Sequence, residues 1–202
     1  MSQRRTPTAY PELSAAENRA RKAAALDALA PGADLWVFGY GSLMWKPGFK
    51  CVERRDAWLY GYHRAFCVYS HRYRGTAEDP GLVLGLDRGG SCRGIAFRIP
   101  APEARATFDY LWDREMITGV YLPRTVRLRT HGGAVAAQTF VADPAHGQYA
   151  GKLPPAEAVR LIRRAHGSAG ANTDYLKATV EHLDELGIGD GPLHRLQRLV
   201  AG

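Results

Sequence analysis

A chain of 202 residues, 46% hydrophobic and 23% charged, has an ordinary globular composition and the length to bury a core, so one domain is the first expectation. No apolar run approaches the ~20 residues that cross a bilayer, and the start, Met1-Ser2-Gln3-Arg4-Arg5, does not read as a secretory leader. The net charge of +7 comes mostly from scattered arginines without a nucleic-acid-binding motif, which reads as a basic surface suited to anionic small substrates.

Residues 1–11 are polar and read as loose. Residues 14–29, rich in Ala, Glu, Arg and Leu, read as one peripheral helix with Ser14 as its N-cap, ending before Pro31-Gly32. Residues 1–34 are thus an N-terminal extension ahead of a domain over 35–202. The pattern then changes to strands: 35–38, then 57–60 and 65–69 around Gly61. A hairpin is expected over 82–87 and 92–99 with its turn at Arg88-Gly89-Gly90, and another over 125–130 and 135–141 with its turn at His131-Gly132-Gly133. Helices are expected over 102–116, between the hairpins, and over 154–166 and 172–186, with a short last helix from Pro192. Strands in hairpins with helices grouped late indicate an α+β fold with a shared core.

The first chemical signal is Phe38-Gly39-Tyr40-Gly41-Ser42-Leu43-Met44-Trp45. Two glycines around Tyr40 let the backbone turn and present N–H groups, and Ser42 adds a hydroxyl. Met44 stands where a dinucleotide fingerprint needs its third Gly, a P-loop's Gly-Lys-Ser/Thr is absent, and Tyr40 occupies the Gly position of a nucleophile elbow. What remains is a loop for a polarised or anionic oxygen, or a plain bend between elements.

The second signal lies in the 102–116 helix. Ala104, Phe108 and Leu111 mark an apolar face, and Glu115 continues it, whereas Asp109, Asp113 and Arg114 lie elsewhere around the helix. A carboxylate aimed along an apolar stripe tends to a raised pKa and is a general-base candidate. The plainer reading is a carboxylate at a fraying helix end paired with an arginine. Spacing alone does not bring Glu115 to the loop.

Cys51, Cys67 and Cys92 lack C-x-x-C spacing and fit a reduced, cytoplasmic protein better than a disulfide scaffold or zinc site. His63, His71 and His166 have no metal-ligand spacing and read as structural or surface residues.

Taken together, the motifs resemble the ChaC-type γ-glutamylcyclotransferases. The resemblance runs from the 38–45 loop through Gly61-Tyr62-His63-Arg64-Ala65-Phe66-Cys67, Arg74-Gly75-Thr76 and Pro80-Gly81-Leu82-Val83-Leu84-Gly85. It continues through Leu111-Trp112-Asp113-Arg114-Glu115-Met116 to Ala165-His166-Gly167-Ser168-Ala169-Gly170-Ala171-Asn172, covering 35–199. It implies a small mixed β-barrel flanked by helices, with Gly39, Tyr40, Gly41, Ser42, Leu43 and Met44 holding a γ-glutamyl group and Glu115 as the catalytic carboxylate. It also implies cleavage of glutathione to 5-oxoproline and cysteinylglycine without a metal or organic cofactor. Tyr121, just after the Glu115 helix, is a further substrate-contact candidate. One departure is the slightly expanded stretch 70–78, with Ala77 where Pro is usual.

Glutathione or a γ-glutamyl peptide is therefore the expected partner, with neither nucleic acid nor membrane insertion. Three other readings stay open at this point. They are a cyclotransferase for another γ-glutamyl amine or dipeptide, a non-catalytic γ-glutamyl-binding protein on the same scaffold, and an arginine-rich nucleic-acid module.

Overall fold

The structure, a computed structural model, describes residues 10–27 and 29–202. In chain order its elements are α1 (Ala15–Asp27), β1 (Leu35–Gly39), a 3₁₀ turn (Ser42–Met44), β2 (Glu53–Ser70), β3 (Gly81–Ile99) and α2 (Ala101–Glu115). They continue with β4 (Tyr121–Thr130), β5 (Gly133–Ala142), α3 (Pro155–Arg164), β6 (His166–Gly167), β7 (Gly170–Ala171), α4 (Asn172–Glu185) and α5 (Gly191–Ala201). The large strands close into a barrel of order β1-β3-β2-β4-β5. It is mixed: β1 runs antiparallel to β3, with Leu35 opposite Ile99, and parallel to β5, with Val37 opposite Gln138. The α+β class and mixed barrel match the sequence expectation.

The described residues fall into two compact units. One comprises Glu12–Arg64 and Gly85–Ala142. Its core includes Val37, Phe38, Leu59, Phe97, Phe108, Leu111, Trp112 and Leu128, all at most 2% exposed, and burying each large apolar side chain contributes roughly 1.5–3 kcal/mol. The other comprises 10–11, Ala65–Leu84 and Asp143–Gly202, with Val68, Leu82, Ile162, Leu176, Val180 and Leu183 buried.

Several elements form where the sequence places them. The β4–β5 hairpin has its expected turn, closed by the Thr130–Gly133 pair, with Gly133 at φ +99° and the Thr130 hydroxyl donating to the Gly133 carbonyl at 2.7 Å. α1 begins after Ser14, whose Oγ accepts from Glu17 N (3.3 Å) while Glu17 Oε2 accepts from Ser14 N (3.1 Å), a reciprocal capping box. The helix runs to Asp27, short of the expected 29.

Two expectations change. The runs 57–60 and 65–69 are one strand, β2, and the expected first hairpin is also one strand, β3, with no reversal at Arg88–Gly90. Gly61 (φ +87°), Gly89 (+93°) and Gly90 (+69°) take left-handed backbone, but they bend strands in place rather than turning the chain back. The loose segment expected over 1–11 lies mostly outside the described residues. Tyr10 is buried, its hydroxyl donates to the Gly147 carbonyl at 2.7 Å, and burial pushes the phenol up to about 12.

The 70–78 stretch is fastened by backbone crossings. Ser168 N and Ala169 N donate to the Arg72 and Tyr73 carbonyls, each at 2.9 Å. A Cβ on Gly75 would lie 2.2 Å from Gly81 N, and one on Gly167 would lie 2.5 Å from Tyr73 C. The glycines of these two motifs let three backbone segments touch. Asn172, fully buried, completes the junction by accepting from Leu82 N (2.7 Å) and donating to Leu82 O (2.8 Å).

Candidate active site

β1 delivers the glycine loop from the barrel. The Phe38 carbonyl, next to last in β1, accepts from Thr139 Oγ1 of β5 at 3.1 Å, and Gly39 pairs with Ile95 of β3. Neither Gly39 nor Gly41 has positive φ. Gly39 is required for packing instead: a Cβ there would lie 3.0 Å from the Phe97 ring and 3.2 Å from Leu43 Cβ. The loop gains its tightness from the 3₁₀ turn, closed by Met44 N to Gly41 O (2.8 Å) and Lys46 N to Ser42 O (2.7 Å).

The six loop residues divide by exposure. Gly39, Tyr40, Leu43 and Met44 are buried and anchor the loop; Gly41 and Ser42 are half-buried and remain accessible. Three arginines hold the loop. Arg64, 3% exposed on β2, donates Nε–H to the Tyr40 carbonyl and Nη2 to the Arg93 carbonyl (2.7 Å). Arg54 donates Nη2 to the Met44 carbonyl (3.1 Å). Arg114 of α2 donates Nη2 to Ser42 Oγ (2.7 Å) and Nη1 to the Lys46 carbonyl (3.0 Å).

α2 follows Pro100, carries Pro102 in its first turn and buries Thr107, Phe108, Leu111 and Trp112. The apolar stripe is where the spacing of Phe108 and Leu111 puts it, and Glu115 is the last residue of the helix. Its Oε1 lies 3.3 Å from Arg114 Nε, so the arginine pairing foreseen as the plain reading is present. The same arginine holds Ser42, and the loop and Glu115 thereby meet on one guanidinium. Although 21% of its side chain stays accessible, Glu115 accepts no hydrogen bond among the described residues. Burial pushes its carboxyl up, and the Arg114 charge opposes this only in part.

α1 braces this helix. Asn18 Oδ1 accepts from the indole N–H of fully buried Trp112 (2.7 Å), and Lys22 Nζ pairs with Asp109 (2.9 Å) and Asp113 (3.4 Å). Leu13 N donates to the Ile117 carbonyl (3.0 Å) just beyond Glu115. Tyr121, half-buried, opens β4 opposite Ala142.

Arg54, Arg64 and Arg114 had no assigned role in the sequence. Arg64 had a legible signal, since it shares strand alternation with buried Phe66 and Val68. Arg114 had none. Cys67 and Cys92 are buried, Cys51 is half-buried, and none of the three is in a disulfide. His63 lies on a strand with Nδ1 3.0 Å from the Gly89 carbonyl, and His166 is exposed on β6. Among the described residues no group of three or more His, Cys, Asp or Glu could hold a metal ion.

The chain matches the model of the ChaC-like protein family over residues 35–202. It is 40% identical over 186 residues to the glutathione-specific γ-glutamylcyclotransferase of Escherichia coli K12, covering 91% of this chain and 80% of that one. It is 33% identical over 162 residues to glutathione-specific γ-glutamylcyclotransferase 1 of Danio rerio, covering 78% and 83%. The crystal structure of a γ-glutamylcyclotransferase specific to glutathione from yeast superposes with a TM-score of 0.75 at 22% identity over 84% of this chain and 96% of that one, a likeness of fold. With a family match over the barrel, the glycine loop and the Glu115 helix, this chain belongs to the ChaC-like family.

Proposed function

We propose that this chain cleaves glutathione to 5-oxoproline and cysteinylglycine, with Glu115 as the proton carrier. The observation that carries the reading is the convergence of the accessible Gly41–Ser42 turn and the Glu115 carboxylate on Arg114. Membership in the ChaC-like family and relatives named for glutathione support it.

The γ-glutamyl group rests on the loop of Gly39, Tyr40, Gly41, Ser42, Leu43 and Met44, with N–H groups at Gly41 and Ser42 facing its polar oxygens. Tyr121 contacts the substrate from the head of β4. The α-amine arrives mostly as an ammonium, with a reference pKa of about 8, and an ammonium cannot attack a carbonyl. Glu115, ionised, takes a proton from it. The freed amine forms a bond to the γ-carbon, the bond from that carbon to the cysteinyl nitrogen breaks, and the ring closes. The ammonium loses two protons in becoming the lactam N–H, and the departing nitrogen gains two in becoming an ammonium. Glu115 ferries them in turn. No water is consumed: the step is an intramolecular acyl substitution at the γ-carbon, and the enzyme is of the lyase type because glutathione splits without hydrolysis. The raised carboxyl suits this work, because a base closer in pKa to the amine transfers the proton with a smaller penalty. Ring closure is intramolecular, so holding the folded conformer supplies much of the acceleration. The route calls on no metal or organic cofactor.

We assign the activity to residues 35–202 and treat 1–34 as an N-terminal extension, a division supported by the family match starting at 35. A cytoplasmic setting is supported by the three free cysteines. The test is incubation of purified protein with glutathione and with a panel of γ-glutamyl dipeptides. Stoichiometric 5-oxoproline and cysteinylglycine from glutathione are expected, and 5-oxoproline from the dipeptides but not from glutathione would sink the substrate assignment.

A further inference from the structure

We propose that Arg114 is a positioning residue that joins the substrate loop to the base, one guanidinium setting the place of Ser42 and the orientation of Glu115 together. The inference rests on the reading of Glu115 as the proton carrier.

A guanidinium is planar and offers five N–H donors in a fixed fork, so its contacts are geometrically linked. Here each nitrogen is engaged. Nη2 donates to Ser42 Oγ (2.7 Å), Nη1 donates to the Lys46 carbonyl (3.0 Å) and the Tyr110 hydroxyl (3.1 Å), and Nε faces Glu115 Oε1 (3.3 Å). The two loop contacts straddle the 3₁₀ turn, so the guanidinium fastens the accessible part of the loop. Tyr110 lies one turn earlier on α2, where a side chain four residues back is a neighbour. Gly48 makes room for it: a Cβ there would lie 2.0 Å from the Tyr110 hydroxyl. The glycine beyond the loop therefore admits the hydroxyl that braces the guanidinium.

Glu115 has one ion-pair partner among the described residues, Arg114, and its Oε2 is left for a substrate proton. Several charged groups of the same unit have contacts of their own. On α1, Lys22 pairs with Asp109 and Asp113. On β2, Arg54 is on the Met44 carbonyl and Arg64 on the Tyr40 carbonyl. Without Arg114, burial acts on the carboxyl unopposed, and the base would be protonated at a higher pH. Arg114 thus keeps Glu115 ionised for an incoming ammonium and keeps the loop at a fixed distance from it.

The two roles separate experimentally. Arg114→Gln removes both charge and fork, and Arg114→Lys retains charge without the fork. The readouts are kcat and the pH profile of kcat/KM for 5-oxoproline release from glutathione, with Glu115→Gln alongside and folding checked by thermal unfolding. For Arg114→Gln, the acid limb is expected to move up in pH and kcat to fall roughly tenfold or more. Arg114→Lys is expected to restore the acid limb while kcat stays low. If Glu115→Gln is inactive and folded Arg114→Gln keeps the parent's limb and rate, the positioning role is overturned. If Glu115→Gln keeps the parent's rate, the underlying reading of Glu115 fails, whatever the Arg114 variants do.

Discussion

The indole N–H of Trp112 donates to Asn18 Oδ1 at 2.7 Å, tying the helix that ends in Glu115 to a helix outside the matched family segment. Trp112 is fully buried, so its N–H has no access to water and needs this acceptor. Asn18→Ala is expected to cost about 1–3 kcal/mol through the orphaned indole. Lys22→Ala, at partly exposed pairs, is expected to cost under about 1 kcal/mol. Denaturant unfolding of both variants checks the order, and equal losses would contradict it.

Gly39 and Gly94 admit close backbone approach at the root of the loop. A Cβ on Gly94 would sit 2.3 Å from the Gly39 carbonyl oxygen, whereas one on Gly39 would meet the movable Phe97 ring at 3.0 Å. Gly94→Ala is therefore the more damaging to stability, by about 1–3 kcal/mol. Gly39→Ala is expected to fold and to lose activity by displacing the loop. Unfolding curves together with kcat/KM separate the two, and a fully active Gly39→Ala would contradict the loop assignment.

Glu115 carries a stability penalty with a definite sign. Its folded carboxyl is raised, so the protein binds more protons folded than unfolded across that window. Stability from this group is fully present below the unfolded carboxylate value of about 4.3 and is lost as the pH rises through the folded value. Glu115→Gln is accordingly expected to have a higher Tm than the parent at pH 7, with the gap closing below about pH 4. A gap independent of pH would argue against a strained carboxylate.

Asn172 replaces a strand partner for Leu82 with both ends of its amide. Asn172→Ala orphans a buried N–H and a buried C=O and is expected to cost at least about 2 kcal/mol. Asn172→Asp is expected to cost at least as much, because an ionised carboxylate would be buried without a partner against the Leu82 carbonyl. Chemical denaturation of the three proteins measures the order.

The β4–β5 hairpin and the helices were legible because apolar spacing and turn chemistry agree there, as at Thr130–Gly133. β2 and β3 were not, because Gly61, Gly89 and Gly90 give one local signal for two outcomes: a glycine at positive φ can reverse a chain or bend a strand in place. The neighbouring strands decide, and they lie far away in sequence. Within the candidate site, Glu115 stood out as a carboxylate on an apolar stripe, and the loop as two glycines beside a hydroxyl. Arg114 did not, because its contact with Ser42 spans a separation of 72 residues and nothing in helix periodicity marks it. The packing reason for Gly39 was also hidden, since it depends on Phe97 of a different strand.

The most direct measurement of the central claim is the initial rate of 5-oxoproline formation from glutathione by Glu115→Gln against the parent, with the variant shown to be folded and to bind glutathione. The substitution preserves shape and removes the base, so turnover is expected to fall by about 10²-fold or more while binding persists. A folded Glu115→Gln that releases 5-oxoproline at near the parent rate would contradict the assignment of proton transfer to this carboxylate.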